Sequence, residues 1–224
     1  MFIPISKPID KLLGGGLEKG CITNFYGPPG SGKTQIAMVA AAGISSKGMK
    51  VVFIDTEGGF SFERLKQLVD DYESVLKRII IMRVYSWKEQ NECISKLPKL
   101  ENIKAVIVDS IVALWRLEIN QENAFLINQE LAKQLSILAR IASEKNIPVL
   151  ITNQVYSDIE TGELELSGRN VVKWWSKNLV ELIHSGKSNH RVAIVKKARA
   201  VPEGKRVEFE IYEKGLREAK FKLF

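Results

Sequence analysis

The chain has 224 residues, 45% hydrophobic and 26% charged, with a formal net charge of +7. That mixture excludes a disordered or fibrous chain, and the length suffices for a core needing neither metal nor disulfides. No run approaches the ~18 apolar residues of a membrane span, and the two prolines of Met1–Pro8 interrupt any signal core. Cys21 and Cys93 show no C-x-x-C spacing, so a cytoplasmic protein with reduced thiols and no Cys/His zinc site is expected.

No repeat, low-complexity tract or linker divides the chain, so one domain over 1–224 is expected. Apolar runs of strand length fall at Cys21–Tyr26, Val51–Ile54, Ile79–Met82, Ala105–Val108 and Val149–Thr152. Helical patterns separate them at Lys33–Ser46, Phe62–Tyr72, Trp87–Leu97 and Gln121–Lys145. Ser86-Trp87-Lys88-Glu89 fits a capping box opening the third helix. Ala124, Ile127, Leu131, Leu135, Leu138 and Ala142 form an apolar stripe at helical spacing on the fourth. Strands that are continuously apolar are buried on both faces, and their alternation with helices predicts an α/β fold around a parallel sheet. After about Asn178 the pattern changes to short strands, Leu179–His184, Arg191–Lys196 and Arg206–Tyr212, which predict an antiparallel end to the sheet.

Most of the positive charge sits in that last part, with eleven Lys/Arg against five Asp/Glu between Gly186 and Phe224. Such a bias suits a polyanionic partner, and it equally suits a solvated sheet edge protected from aggregation.

The chemistry gathers at strand ends. Gly27-Pro28-Pro29-Gly30-Ser31-Gly32-Lys33-Thr34 matches G-x-x-x-x-G-K-[ST] between a strand and a helix. Glycines let backbone N–H groups curl around a phosphate, and the helix N-terminus adds positive potential. Lys33 is then expected to reach the β- and γ-phosphates of ATP, and Thr34 to ligate Mg²⁺. Asp109 ends the apolar run Ala105–Val108, where a carboxylate needs a partner. It is expected either on the magnesium side of the phosphates or as the N-cap of a helix over Ile111–Arg116. Asp55 and Glu57 end the Val51–Ile54 strand on one side of an extended chain, and either could orient the water attacking the γ-phosphate. Gln154 ends the Val149–Thr152 strand as an amide able to sense the γ-phosphate or simply to close a turn. Open α/β sheets place ligands at the carboxyl ends of their strands, so these groups are expected in one site.

Four segments taken together are more specific. Asp10-Lys11-Leu12-Leu13-Gly14-Gly15-Gly16-Leu17, Gly32-Lys33-Thr34-Gln35, Ile54-Asp55-Thr56-Glu57-Gly58-Gly59-Phe60 and Ile151-Thr152-Asn153-Gln154-Val155 occur in this order. The chain so resembles the core of the RecA-type recombinases, on the archaeal RadA and eukaryotic strand-exchange branch, from about Ser6 to Glu213. The resemblance implies a RecA-type P-loop NTPase core, a mostly parallel central sheet flanked by helices with C-terminal antiparallel strands. It implies Mg²⁺-dependent ATP hydrolysis with Glu57 as the catalytic glutamate, Gln35 within the phosphate-loop segment, and Arg64 of Phe62-Glu63-Arg64-Leu65 stacked on adenine. Gln154 then couples the γ-phosphate to the loop that follows it.

Departures from that family shape the expected function. The resemblance starts at the core, without an N-terminal helical domain, and no F-x-x-A docking motif occurs in the sequence. The loop near Arg116–Asn123 is short, and Asp158, Glu160, Glu163 and Glu165 make the segment after Gln154 acidic ahead of Arg169 and Lys173. Acids repel phosphate, so efficient strand exchange is not expected. Lys196-Lys197-Ala198-Arg199 stands where the family caps a neighbour's ATP with aspartate and proline. Lys197 and Arg199, one residue apart on a strand, are expected to share a face and to act in trans on a γ-phosphate. Trp174-Trp175 between Lys173 and Lys177, read as neighbours facing oppositely on a strand, offers one exposed ring for stacking on bases, the other being core. The expected role is that of a core-only archaeal paralogue with slow ATP turnover. It would bind single-stranded or junction DNA beside a main recombinase or a Holliday-junction resolvase, with a homo-oligomer possible and no membrane partner. The alternative is a KaiC-like regulatory ATPase acting on proteins.

Overall fold

The structure, a computed structural model, describes residues 1–157 and 164–219. Asp158, Glu160 and Glu163 of the acidic segment, and Lys220 and Lys222, lie outside the described residues. The chain begins β1 (Phe2–Ile3), α1 (Lys7–Leu13), β2 (Leu17–Glu18), β3 (Ile22–Gly27), α2 (Lys33–Ser45), β4 (Lys50–Asp55). It continues α3 (Phe62–Leu68), α4 (Tyr72–Leu76), β5 (Ile79–Arg83), α5 (Trp87–Lys96), β6 (Ile103–Asp109), α6 (Ala113–Glu118) and α7 (Ala124–Lys145). It ends β7 (Val149–Ser157), β8 (Leu164–Leu166), α8 (Arg169–Trp175), β9 (Asn178–His184), β10 (His190–Lys197), β11 (Arg206–Tyr212) and β12 (Gly215–Glu218).

The main sheet has the order β12-β11-β10-β9-β3-β7-β6-β4-β5. The strands from β9 to β5 are parallel, and β10, β11 and β12 extend the sheet antiparallel from β9. This is the expected mostly parallel sheet with its antiparallel end. Burial on both faces explains the continuous apolar runs. Along β4, Val51 and Phe53 pack into the core beneath α1 to α4, while Val52 and Ile54 pack into the core beneath α5 to α8. Along β6, Ala105 and Ile107 take the first face and Val106 and Val108 the second.

The helices follow their sequence signals with two corrections. Ser86 caps α5 by accepting from Glu89 N at 3.2 Å, and the Glu89 carboxylate reaches back to Tyr85 N at 2.8 Å. On α7 the stripe Ile127, Leu131, Leu135, Leu138, Ala142 is buried as expected. The single helix read over Phe62–Tyr72 is instead two. Val69 turns extended and buries its side chain, after which Asp71 caps α4 by accepting from Ser74 N at 3.1 Å. The Trp174-Trp175 pair lies on a helix, α8, rather than a strand. Trp174 is 79% exposed while Trp175 packs against the second core, so the division between outer and inner ring holds.

Candidate nucleotide site

The phosphate-loop segment leaves β3 and enters α2, with Gly30 and Gly32 at positive φ (+73° and +96°) that favours glycine. Gly27 serves a different need: a Cβ there would lie 2.2 Å from the Leu182 carbonyl oxygen, so β9 runs against the loop's first residue. Lys33 Nζ donates to the Gly27 and Pro28 carbonyls at 2.9 and 2.8 Å, which holds the ammonium inside the loop it serves. Burial lowers its pKa, and the charges of Glu57 and Asp109 push the other way.

Asp109 ends β6 and is 2% exposed. Its Oδ1 accepts from Thr152 Oγ1 at 2.5 Å, while Oδ2 is buried with no hydrogen-bond partner among the described residues. A methyl at Gly59 would lie 3.4 Å from that oxygen and 3.5 Å from Thr34 Oγ1, so both oxygens face one small space. Burial pushes the Asp109 carboxyl up to about 6, opposed by the hydroxyls of Thr152 and Thr34 and reinforced by Glu57 and Asp55. The Thr34 hydroxyl acts from close by without closing a hydrogen bond. A carboxylate oxygen and a hydroxyl oxygen are hard donors that suit Mg²⁺. No cluster of three His, Cys, Asp or Glu side chains assembles among the described residues. A cation here would therefore take its other ligands from phosphate and water. The alternative for Asp109, capping the next helix, does not occur: α6 starts later and its N-cap position is Val112.

Asp55 and Glu57 have separate tasks. Asp55 Oδ1 and Oδ2 accept from Gly59 N (2.9 Å) and Phe60 N (3.1 Å), so this carboxylate shapes the turn. Glu57 stays exposed and accepts from Gln154 Nε2 at 2.8 Å. Gln154 Oε1 in turn accepts from Arg116 Nη1 at 2.7 Å.

Arg64 lies beside the loop helix and donates Nε–H to Gln35 Oε1 at 2.8 Å. Its Nη atoms donate to the Glu213 and Tyr212 carbonyls at 2.7 and 2.8 Å, a planar clamp between α3 and the end of β11. Two further side chains, from β9 and β10, brace the loop: His184 Nε2 lies 3.2 Å from the Pro29 carbonyl, and Arg191 Nε donates to the Gly30 carbonyl at 2.9 Å. Arg116, His184 and Arg191 escaped the sequence reading. No motif flags them, because each is a polar residue whose task is set only by which strand lies next to the loop.

Lys197 and Arg199 are elsewhere. Lys197 pairs with Leu179 near the start of β9, far along the strand from the phosphate loop. Its Nζ donates to the Ser176 carbonyl at 2.9 Å and the Lys173 carbonyl at 3.3 Å, while Arg199 pairs with Glu18 at 2.9 Å. The strand spacing behind the expected shared face does not reach Arg199, because β10 ends at Lys197.

The Rad51 family model matches residues 3–219. The chain is 37% identical to the DNA repair and recombination protein RadB of Methanobrevibacter smithii, with 96% of this chain and 94% of that protein covered. It is 40% identical to the protein of the same name from Methanosphaera stadtmanae, covering 96% of this chain and 95% of that one. A crystal structure of the RadB recombinase superposes with a TM-score of 0.85 at 35% identity, over 98% of this chain and 100% of the other.

Proposed function

This chain belongs to the Rad51 family, and from that premise we propose that it is an ATP-binding, slowly hydrolysing core that binds DNA and assists homologous recombination and repair. Efficient strand exchange is left to a main recombinase, and that recombinase or a Holliday-junction resolvase is the proposed protein partner. Residues 1–224 act as one RecA-like unit, in the cytoplasm. The carrying observation is the convergence of Lys33, Thr34, Glu57 and Asp109 Oδ2, which has no partner among the described residues, at one end of the parallel strands.

In this reading the loop from Gly27 to Thr34 takes the phosphates on its backbone N–H groups, and Lys33 turns from its carbonyls to the β- and γ-oxygens. Thr34 and Asp109 would hold Mg²⁺, which would supply positive charge to offset what builds on the phosphates. Glu57 takes the proton of the attacking water, Gln154 registers the γ-phosphate, and the flat Arg64 guanidinium, fixed by its carbonyl partners and Gln35, lies against adenine. Turnover is slow because Lys33 and Glu57 must first leave partners within their own chain. Lys197 and Arg199 act on a neighbouring subunit's nucleotide within a homo-oligomer. The pairing of Lys197 with Leu179, away from the His184 end of β9 that meets the loop, supports action in trans.

The DNA reading is supported by the basic stretch after Gly186 and by Trp174, exposed beside Lys173 and Lys177. Among the described residues no helix is long and apolar enough to cross a membrane. A KaiC-like regulator of proteins is not favoured by relatives named for DNA repair and recombination. The test is anisotropy of labelled single-stranded DNA, titrated with protein at several salt concentrations with and without Mg-ATP. Binding that weakens steeply with salt is expected. No binding at low salt in either nucleotide state overturns the repair reading. Loss of turnover in Lys197→Ala and Arg199→Ala, at unchanged nucleotide affinity, is the result expected of trans action.

A further inference from the structure

Three side chains form an unbroken hydrogen-bonded line from β4 across β7 to α6. Glu57 accepts from Gln154 Nε2 at 2.8 Å, and Gln154 Oε1 accepts from Arg116 Nη1 at 2.7 Å. Chemistry fixes the direction of this line. A guanidinium only donates and an ionised carboxylate only accepts, so one amide orientation alone satisfies both ends. Both bonds carry a charged partner, which makes each stronger than a neutral one.

From this geometry we infer that Arg116 is a positioning residue, a latch that holds Gln154 on Glu57 and keeps that carboxylate from acting as a base. The inference rests on the reading of Glu57 as the group that deprotonates water. While Glu57 Oε1 accepts from the Gln154 amide, that oxygen is taken up by the amide and is not open to the proton of a water. The terminal torsion of a glutamine is soft. Among the described residues Arg116 is the donor to Oε1, and its loss removes what selects the orientation that points Nε2 at Glu57. The latch also has an outward face. Arg116 is exposed and lies, with Trp115 and Ile119, at a cavity of about 680 Å³ whose opposite wall includes Ser167, Gly168 and Asn170. A group that draws the guanidinium toward this cavity draws it away from Gln154.

The test compares wild type, Arg116→Ala, Arg116→Lys and Glu57→Gln in steady-state ATP turnover, with fluorescent-nucleotide affinity measured in parallel. Arg116→Ala is expected to raise kcat about tenfold, the worth of one charge-assisted hydrogen bond, with KM for ATP unchanged. Arg116→Lys keeps a cationic donor for Gln154 and is expected to stay within about twofold of wild type. A merely structural arginine would move KM or thermal stability and would not raise kcat. Unchanged or lowered kcat in Arg116→Ala overturns the latch. If Glu57→Gln abolishes turnover in that case, the base reading stands and the latch alone falls. If Glu57→Gln turns over like wild type, the base reading falls and takes the latch with it.

Discussion

Gly27→Ala tests the tightest backbone approach in the site. The backbone of Gly27 has no positive φ, so alanine meets no conformational penalty and the cost is one of space. Its Cβ would sit 2.2 Å from the Leu182 carbonyl oxygen, 3.1 Å from the Leu182 carbonyl carbon and 2.9 Å from Ser31 Oγ. Carbon and carbonyl oxygen rest at about 3.3 Å or more, so β3 and β9 must separate by roughly 1 Å at the point where the phosphate loop begins. Overpacking of this kind costs about 1–3 kcal/mol. In a domain of this size that lowers Tm by about 2–12 °C. The displaced backbone also carries the first N–H groups of the loop, so fluorescent-nucleotide affinity is expected to fall at least tenfold. Gly48→Ala provides the contrast. Its φ is +79° and nothing lies within 4 Å of its added methyl, so it costs about 1–2 kcal/mol of backbone strain and leaves nucleotide affinity alone. Both variants are read by thermal denaturation and by nucleotide titration. A Gly27→Ala protein with wild-type Tm and affinity would refute the claim that β9 sets the mouth of the loop.

Buried amides give an opposed pair. Asn24 is fully buried on β3 with neither Oδ1 nor Nδ2 bonded among the described residues, so Asn24→Leu is expected to raise Tm, an unpaired buried amide costing about 1–3 kcal/mol; a fall in Tm would refute this. Gln134 accepts from Gln90 at 2.8 Å and donates to Asn91 at 2.7 Å. Gln134→Leu is accordingly expected to lose about 1–3 kcal/mol in chemical denaturation, and neutrality would contradict it. Burial pushes the thiols of Cys21 and Cys93 up to about 11 from an ordinary 9.0. Both should react with a disulfide reagent about a hundredfold slower than a free thiol at pH 8, and about tenfold faster per pH unit up to 10. Rapid labelling of either at pH 8 would sink that expectation.

How much of this was legible depended on how local each signal is. The parallel strands were readable because each face of the sheet meets its own helix layer, which makes every position of Val51–Ile54 or Ala105–Val108 apolar. The break in the third helix was not, since Val69 is pulled into the core by tertiary packing that no helical spacing records. The short helix α1 has Pro8 in its first turn and only seven residues, too few for a period to show. Among site residues, Lys33, Thr34 and Asp109 announce themselves by position at strand ends. Asp55 and Glu57 were equivalent on spacing, and only the structure separates them: the amides of Gly59 and Phe60 fold back onto Asp55, while Glu57 stays exposed with the Gln154 side chain as its partner. Arg116 carries no such mark. Its meaning comes from Gln154, thirty-eight positions away.

The antiparallel strands β10 and β11 have a consequence for how the protein is put together. His184 and Arg191 brace the phosphate loop, and the carbonyls of Tyr212 and Glu213 fix Arg64. With His184 of the parallel β9, strands β10 and β11 thus form one wall of the candidate nucleotide chamber, and both are synthesised after every parallel strand of the sheet. A ribosome-bound chain that has completed only the parallel strands has its loop and His184, but not Arg191 or the carbonyls that fix Arg64, so the full set of braces waits for β10 and β11. A nick in the turn between β9 and β10 would open the chamber while every residue of the phosphate-binding motif stays in place.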